Sequence, residues 1–193
     1  MEQLVNFFYR LLERYSGFTQ TRYLYDEICW DDKLILIRGP KGSGKTTMLM
    51  QHILRTFPDK SKVLYCSVDH FWFASHNLLE LAEYAYTHDI SHLFLDEIHK
   101  YGNWSQELKN IYDGYPRLHV VVTGSNALDI IKQTYDLSRR CMVYTMQGMS
   151  FREYLKLENV ADLPVVSLEE LVTHHQQISH DITIKQNVKV LLH

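Results

Sequence analysis

The sequence predicts an α/β fold, a mainly parallel five-stranded sheet in a three-layer arrangement with helices. Two observations carry that expectation. Five short apolar runs alternate with segments of helical period, and a glycine-rich stretch, "GPKGSGKT" (39–46), separates the first run from the helix that follows it. Parallel neighbours need a crossover, and the usual crossover is a helix, so alternation implies βαβ units. Continuous apolar runs suit strands that are covered on both faces.

Each element has its own warrant. Leu4, Phe7, Phe8, Leu11, Leu12 and Tyr15 repeat at helical spacing, and Gly17 closes that leading helix, 1–17. "KLILIR" (33–38) is the first strand. Beyond the glycines Met50, Ile53, Leu54 and Phe57 keep helical spacing until Pro58. "KVLYCSV" (62–68) is the second strand. "NLLELAEYAY" (77–86) opens with Asn77 and Glu80 spaced as a capping box and reads as a helix. "HLFLDE" (92–97) is the third strand, and Trp104, Leu108, Ile111 and Tyr112 mark another helix. "LHVVVTG" (118–124) is the fourth strand, followed by the helical "ALDIIKQTY" (127–135). "CMVYTM" (141–146) is the fifth strand, and "SFREYL" (150–155) begins on a Ser150/Glu153 capping box. Composition shifts after Leu163-Pro164. One domain is therefore expected over 1–165, and 166–193 reads as the start of a truncated or atypical C-terminal region, with Ser167 and Glu170 capping a helical "SLEELVTHHQQI".

The totals exclude several classes. The chain has 193 residues, 46% apolar, with a net charge of −3, so no global basic field draws it to nucleic acid or to an anionic membrane. Any nucleic-acid contact would be local or made by a partner. Cys29, Cys66 and Cys141 are far apart and form no CxxC pair, which fits a reducing cytosol better than a zinc site or a disulfide framework. The opening "MEQLVNFFYRLLERY" is too charged for a signal peptide, and no stretch approaches the ~20 apolar residues that span a bilayer. A cytoplasmic protein without membrane contact is expected. His174, His175 and His180 lie close in sequence, but adjacent histidines do not share a helix face and no carboxylate or cysteine set completes a metal site.

Gly39–Thr46 fits G-x-x-x-x-G-K-[ST]. Such a loop curls so that successive backbone N–H groups face one anion, which needs glycine where φ is positive. The helix that starts near Lys45 points its N-terminal dipole at the same place. Gly39, Pro40, Lys41, Gly42, Ser43, Gly44, Lys45, Thr46 and Thr47 are therefore the expected polyphosphate cradle. Lys45 would reach the β- and γ-phosphates, Thr46 would offer a hydroxyl to Mg²⁺, and Thr47 would touch the α-phosphate.

Asp96 and Glu97 stand at the C-terminal end of the third strand, where open α/β sheets bind ligands. Asp96 would hold Mg²⁺ through water, and Glu97 would polarise an attacking water as general base. A helix cap or a surface carboxylate pair is the alternative. Ser125 and then Asn126 end the fourth strand, where a polar group would hold that water near the γ-phosphate or merely cap the next helix. Arg139 and Arg140 would stabilise transferred charge, in cis or from a neighbouring subunit, or else complement a helix C-terminus. Asp69 ends the second strand as a cap or a cleft residue. His99 and Lys100 read first as a solvated loop, second as nucleotide or DNA contacts.

On these residues the sequence resembles the prokaryotic AAA-type ATPases in which an N-terminal ATPase domain precedes a winged-helix and nuclease-like C-terminal region. The matching stretches are "RYLYDEI", "GPKGSGKTTML", "LFLDEIHKYGNWSQELKNIYD", "VVVTGSNALDI", "DLSRR" and "SFREYL", in the family's order over roughly residues 20–175. The resemblance implies a P-loop NTPase sheet of AAA-like strand order that takes ATP or ADP with Mg²⁺. Gly39–Thr47 would be its Walker A loop, Asp96 and Glu97 its Walker B pair, and Ser125 its sensor. Arg139 and Arg140 would sit near the γ-phosphate or reach a neighbour in a homo-oligomer. A DNA or protein partner would engage through the C-terminal region that such proteins carry and that 182–193 does not resemble. The reaction implied is cleavage of the β–γ phosphoanhydride bond; the alternative is a nucleotide-binding switch with little turnover.

Overall fold

The structure is a computed structural model that describes residues 1–125, 137 and 139–181. Asn126, the helix expected over 127–135 and the tail 182–193 lie outside the described residues. The chain divides into two compact units, Met1–Gly148 and Met149–His193, so the first ends earlier than the shift near 165 suggests.

In the first unit, β1 (Leu34–Arg38), β2 (Val63–Ser67), β3 (His92–Asp96), β4 (His119–Gly124) and β5 (Met142–Thr145) form one sheet in the order β2-β3-β4-β1-β5. Every pairing is parallel: Leu34 faces Val120, Arg38 faces Thr145, and Ser67 faces Asp96. The five expected strands are all present, and the mainly parallel sheet is wholly parallel. Its C-terminal edge therefore gathers the chain just after Arg38, Ser67, Asp96 and Gly124, which is where the glycine-rich loop, Glu97 and Ser125 fall. β5 is an edge strand, and Met142 and Val143 are exposed on it.

Helices cover both faces. β1 passes over β4 and β3 to reach β2, and β2 returns to β3, so right-handed crossovers put α3 (Lys45–Thr56) and α4 (Leu78–Thr87) on opposite faces. α1 (Glu2–Tyr15) packs on α3 and β2, burying Leu4, Phe8 and Leu12. α5 (Trp104–Gly114) packs on α4. Leu34–Ile37, Leu93–Leu95 and Val120–Val122 form the dry centre. A side chain of this kind contributes about 1.5–3 kcal/mol when fully buried. A one-turn helix, α2 (Leu24–Glu27), carries no amphipathic period and has no sequence signal.

In the second unit the helix Phe151–Leu157 has its capping box: Ser150 Oγ accepts from Glu153 N at 3.2 Å, and the Glu153 carboxylate accepts from Ser150 N at 2.9 Å. Leu155, Val160 and Ala161 are buried. The helix Leu168–Asp181 begins on the Ser167/Glu170 pair and is interrupted at His174.

Candidate functional site

The loop after β1 turns at Gly42 and Gly44, whose φ values are +81° and +95°. Side-chain-bearing residues adopt that region at a cost, so glycine is required there. Gly39 meets a different limit: a Cβ on it would stand 2.2 Å from the Met146 carbonyl oxygen. Gly44 caps α3, which brings the first N–H groups of that helix to the loop. Ser43 Oγ is buried and has no hydrogen-bond partner among the described residues. An orphaned donor in a glycine-rich turn at a helix N-terminus fits an anion's oxygen as its partner.

Lys45 is buried and donates to the carbonyls of Gly39 at 2.8 Å and Pro40 at 2.9 Å. Burial lowers its pKa from the usual 10.5, and the charges of Glu97 and Asp96 oppose that shift. The cation thus sits in a desolvated place where an added anion would favour it.

Asp96 joins the two motifs. It is 3% exposed, and its Oδ2 accepts from Thr46 Oγ1 at 2.6 Å and from Tyr65 Oη at 2.8 Å. Its Oδ1 accepts from Thr123 Oγ1 and, at 3.1 Å, from Glu97 N. Burial, and then the Asp96 charge, push the Tyr65 phenol up, so Tyr65 remains a neutral donor. Glu97 follows in a left-handed backbone with φ +60°, held also by its N–H on Thr123 Oγ1 at 3.3 Å.

Ser125 lies beside Glu97 through His99, which contacts both side chains. His99 is therefore not part of a solvated loop; its side chain is 16% exposed. Lys100 pairs instead with Asp69 at 2.6 Å, and Asp69 also accepts from Ser67 Oγ, which makes it a turn residue. These two contacts, with Lys100 first, hold the Asp69 carboxyl below its usual range.

The arginine pair is not brought to this edge. Arg139 and Arg140 precede β5, so they lie at the sheet's N-terminal edge, and Arg140 makes a two-pronged ion pair with Asp113 at 3.0 and 3.1 Å. The expectation that they approach the γ-phosphate in cis is corrected by that strand direction. Other residues carry no sequence signal. Arg22 is buried and donates to the Ser43 carbonyl in the phosphate loop, to Gln147 O at 3.1 Å and to Gly148 O at 3.2 Å. Tyr65 and Thr123 reach Asp96 from the strands on either side of it. A hydroxyl inside a run of apolar residues was the only hint of either.

Among the described residues no group of three or more His, Cys, Asp or Glu side chains is arranged to hold a metal ion. Mg²⁺ needs less from a protein when phosphate is present, because it keeps waters and uses one or two side chains plus substrate oxygens. Thr46 and Asp96, hydrogen-bonded to each other at the loop, fit that donor set. No helix of the described residues is long and apolar enough to cross a membrane.

The sequence model of the AAA domain family matches residues 31–155, which takes in the loop, both carboxylates, Ser125 and the arginine pair. No curated protein matches the chain. Among solved structures it is similar to AMPPCP-bound DnaA from Aquifex aeolicus, with a TM-score of 0.54 and 14% identity, over 92% of this chain and 58% of that one. It is also similar to a DNA replication initiation factor, with a TM-score of 0.51 and 13% identity, over 98% of this chain and 59% of that one. The chain thus spans under two thirds of the length of both neighbours, and the likeness is one of fold.

Proposed function

The chain belongs to the AAA domain family, and on that premise we propose that it binds ATP with Mg²⁺ at Gly39–Thr47 and hydrolyses the β–γ phosphoanhydride bond. The observation that carries this reading is the 2.6 Å hydrogen bond from Thr46 to Asp96, which ties the phosphate loop to the carboxylate pair across 50 residues of sequence. Thr46 and Asp96 would hold Mg²⁺, which supplies charge neutralisation of the phosphate oxygens when bound.

The chain's own groups divide the remaining work. The loop N–H groups and Lys45 bind and orient the phosphates. Glu97 takes a proton from the attacking water as its oxygen bonds to the γ-phosphorus. The bond from that phosphorus to the β–γ bridging oxygen breaks, leaving ADP and inorganic phosphate. Ser125 donates to the water or to a γ-phosphate oxygen. An arginine from a second copy of the chain would add transition-state charge stabilisation, so self-association is part of the same proposal.

Calorimetry and phosphate release test it together. Lys45→Ala is expected to lose tight ATP binding, and unchanged affinity would undo the role given to the loop. Glu97→Gln is expected to bind ATP as the wild type does and to lower turnover by about 10²–10⁴-fold, the usual worth of a general base. Full residual phosphate release would remove Glu97 from that role.

A further inference from the structure

His99 touches the two groups to which the proposed reaction gives work. Its Nε2 lies 3.2 Å from Ser125 Oγ and 3.4 Å from Glu97 Oε2, and its Nδ1 accepts from Ser125 N at 3.3 Å. The ring sits on the short turn Ile98–Lys100, which packs against β4, so both ends of the contact rest on the sheet.

The backbone contact decides the tautomer. A nitrogen that accepts a hydrogen bond carries no proton, so the neutral ring's proton is on Nε2. That single N–H faces two oxygens. Given to the Glu97 carboxylate, it makes a charge-assisted bond, the stronger kind. Shared with Ser125 Oγ, it still uses Ser125 as an acceptor. In either case Ser125 does not donate to the ring, and its hydroxyl proton turns away from His99. Glu97 meanwhile starts from a backbone fixed by Asp96 and Thr123, and His99 restrains the far end of its side chain.

We infer that His99 is a positioning residue that holds the Glu97 carboxylate and the Ser125 hydroxyl in one hydrogen-bonded unit. The base and the group facing the γ-phosphate are thereby set by one side chain. The inference rests on the reading of Glu97 as base. It requires His99 to act on turnover and not on nucleotide affinity, because the hydrogen bonds and ion pair of His99 go to Ser125 and Glu97 rather than to Gly39–Thr47.

The test uses His99→Phe, His99→Gln and Glu97→Gln in the full chain, with phosphate release at saturating Mg·ATP and nucleotide affinity by calorimetry. His99→Phe keeps a planar ring without either nitrogen. It is expected to lower kcat by up to roughly a hundredfold, the loss that a misplacement of about 1 Å carries, with affinity unchanged. His99→Gln returns a donor of similar reach and is expected to recover part of the loss. Combined with Glu97→Gln, His99→Phe is expected to add nothing further. Wild-type turnover in His99→Phe, with Glu97→Gln inactive, would overturn the inference and leave Glu97 as base. An active Glu97→Gln would instead remove the reading beneath it. NMR of the imidazole nitrogens decides independently of turnover, and so also serves if a variant fails to fold. The expected result is a proton on Nε2 whose resonance moves in Glu97→Gln; a proton on Nδ1 overturns the inference.

Discussion

Lys45 and His52 lie two turns apart on α3, and burial lowers the pKa of both. For Lys45 the cost is one that bound phosphate would offset. The groups that contact His52 are aromatic rings and hydroxyls. Its ring stacks on Trp30 at 3.8 Å, and its Nδ1 faces Tyr25 Oη and Thr56 Oγ1 at 3.3 Å each. Burial, and then the nearby His92, push its pKa from 6.5 down to about 4. Its sign follows from linkage. Above pH 6.5 the ring is neutral folded and unfolded, and stability does not depend on it. Between 6.5 and about 4 the unfolded chain takes a proton that the folded chain refuses, so stability falls with pH. Burial, and then His119, lower His92 to about 4 as well, against the charge of Asp31, and it acts in the same direction. For His52 the loss is up to about 3 kcal/mol by pH 4. Urea midpoints measured from pH 7 to pH 4.5 are expected to drop, and to drop less steeply in His52→Phe. An equal slope in that variant would mean the burial of His52 is not the cause.

At the scale of elements, what the sequence made legible was whatever depends on neighbours in sequence. β1 through β4 are continuous apolar runs because both of their faces are covered. Asn77, Ser150 and Ser167 are readable as caps because a cap and its partner are three residues apart. Asn77 Oδ1 accepts from Glu80 N at 2.8 Å, as the spacing implied, and Asn77→Ala leaves that first-turn N–H without its partner. The expected cost is about 0.5–2 kcal/mol in urea unfolding, with ATP affinity unchanged because α4 lies on the sheet face opposite α3. Loss of nucleotide binding on that substitution would mean α4 is coupled to the site. What was not legible depends on strand order. Tyr65 and Thr123 flank Asp96 only because β2 and β4 are the neighbours of β3. Arg22 reaches the phosphate loop over 21 residues and Gln147 over 125. His99 was misread for the same reason: nothing local says that the turn after β3 folds back onto the end of β4. The motif residues themselves were legible, because glycine at positive φ and carboxylates at a strand's end leave marks in the chain.

Over the whole molecule, one direction governs where chemistry can occur. All five strands run the same way, so the loops after them share an edge and the segments before them share the other. Arg139 and Arg140 belong to the second set. A five-residue strand spans roughly 16 Å, more than an arginine side chain reaches, so neither serves the phosphate site proposed for its own chain. Arg140 is engaged by Asp113, while Arg139 is exposed. An exposed cation on the face opposite the site has access to the site of a second copy, stacked head to tail. If the arginine works in that way, phosphate release per chain must rise with protein concentration, since the completed site exists only in the assembly. Arg139→Ala is then expected to remain near the dilute-limit rate at every concentration. Mixed with Glu97→Gln, which keeps its arginines but lacks the base, it is expected to regain part of the activity, because one interface in the mixture carries both groups. A specific rate that is substantial and flat with concentration would mean that each chain completes its own site. The arginine pair would then be left with the structural task that Arg140 already performs at Asp113.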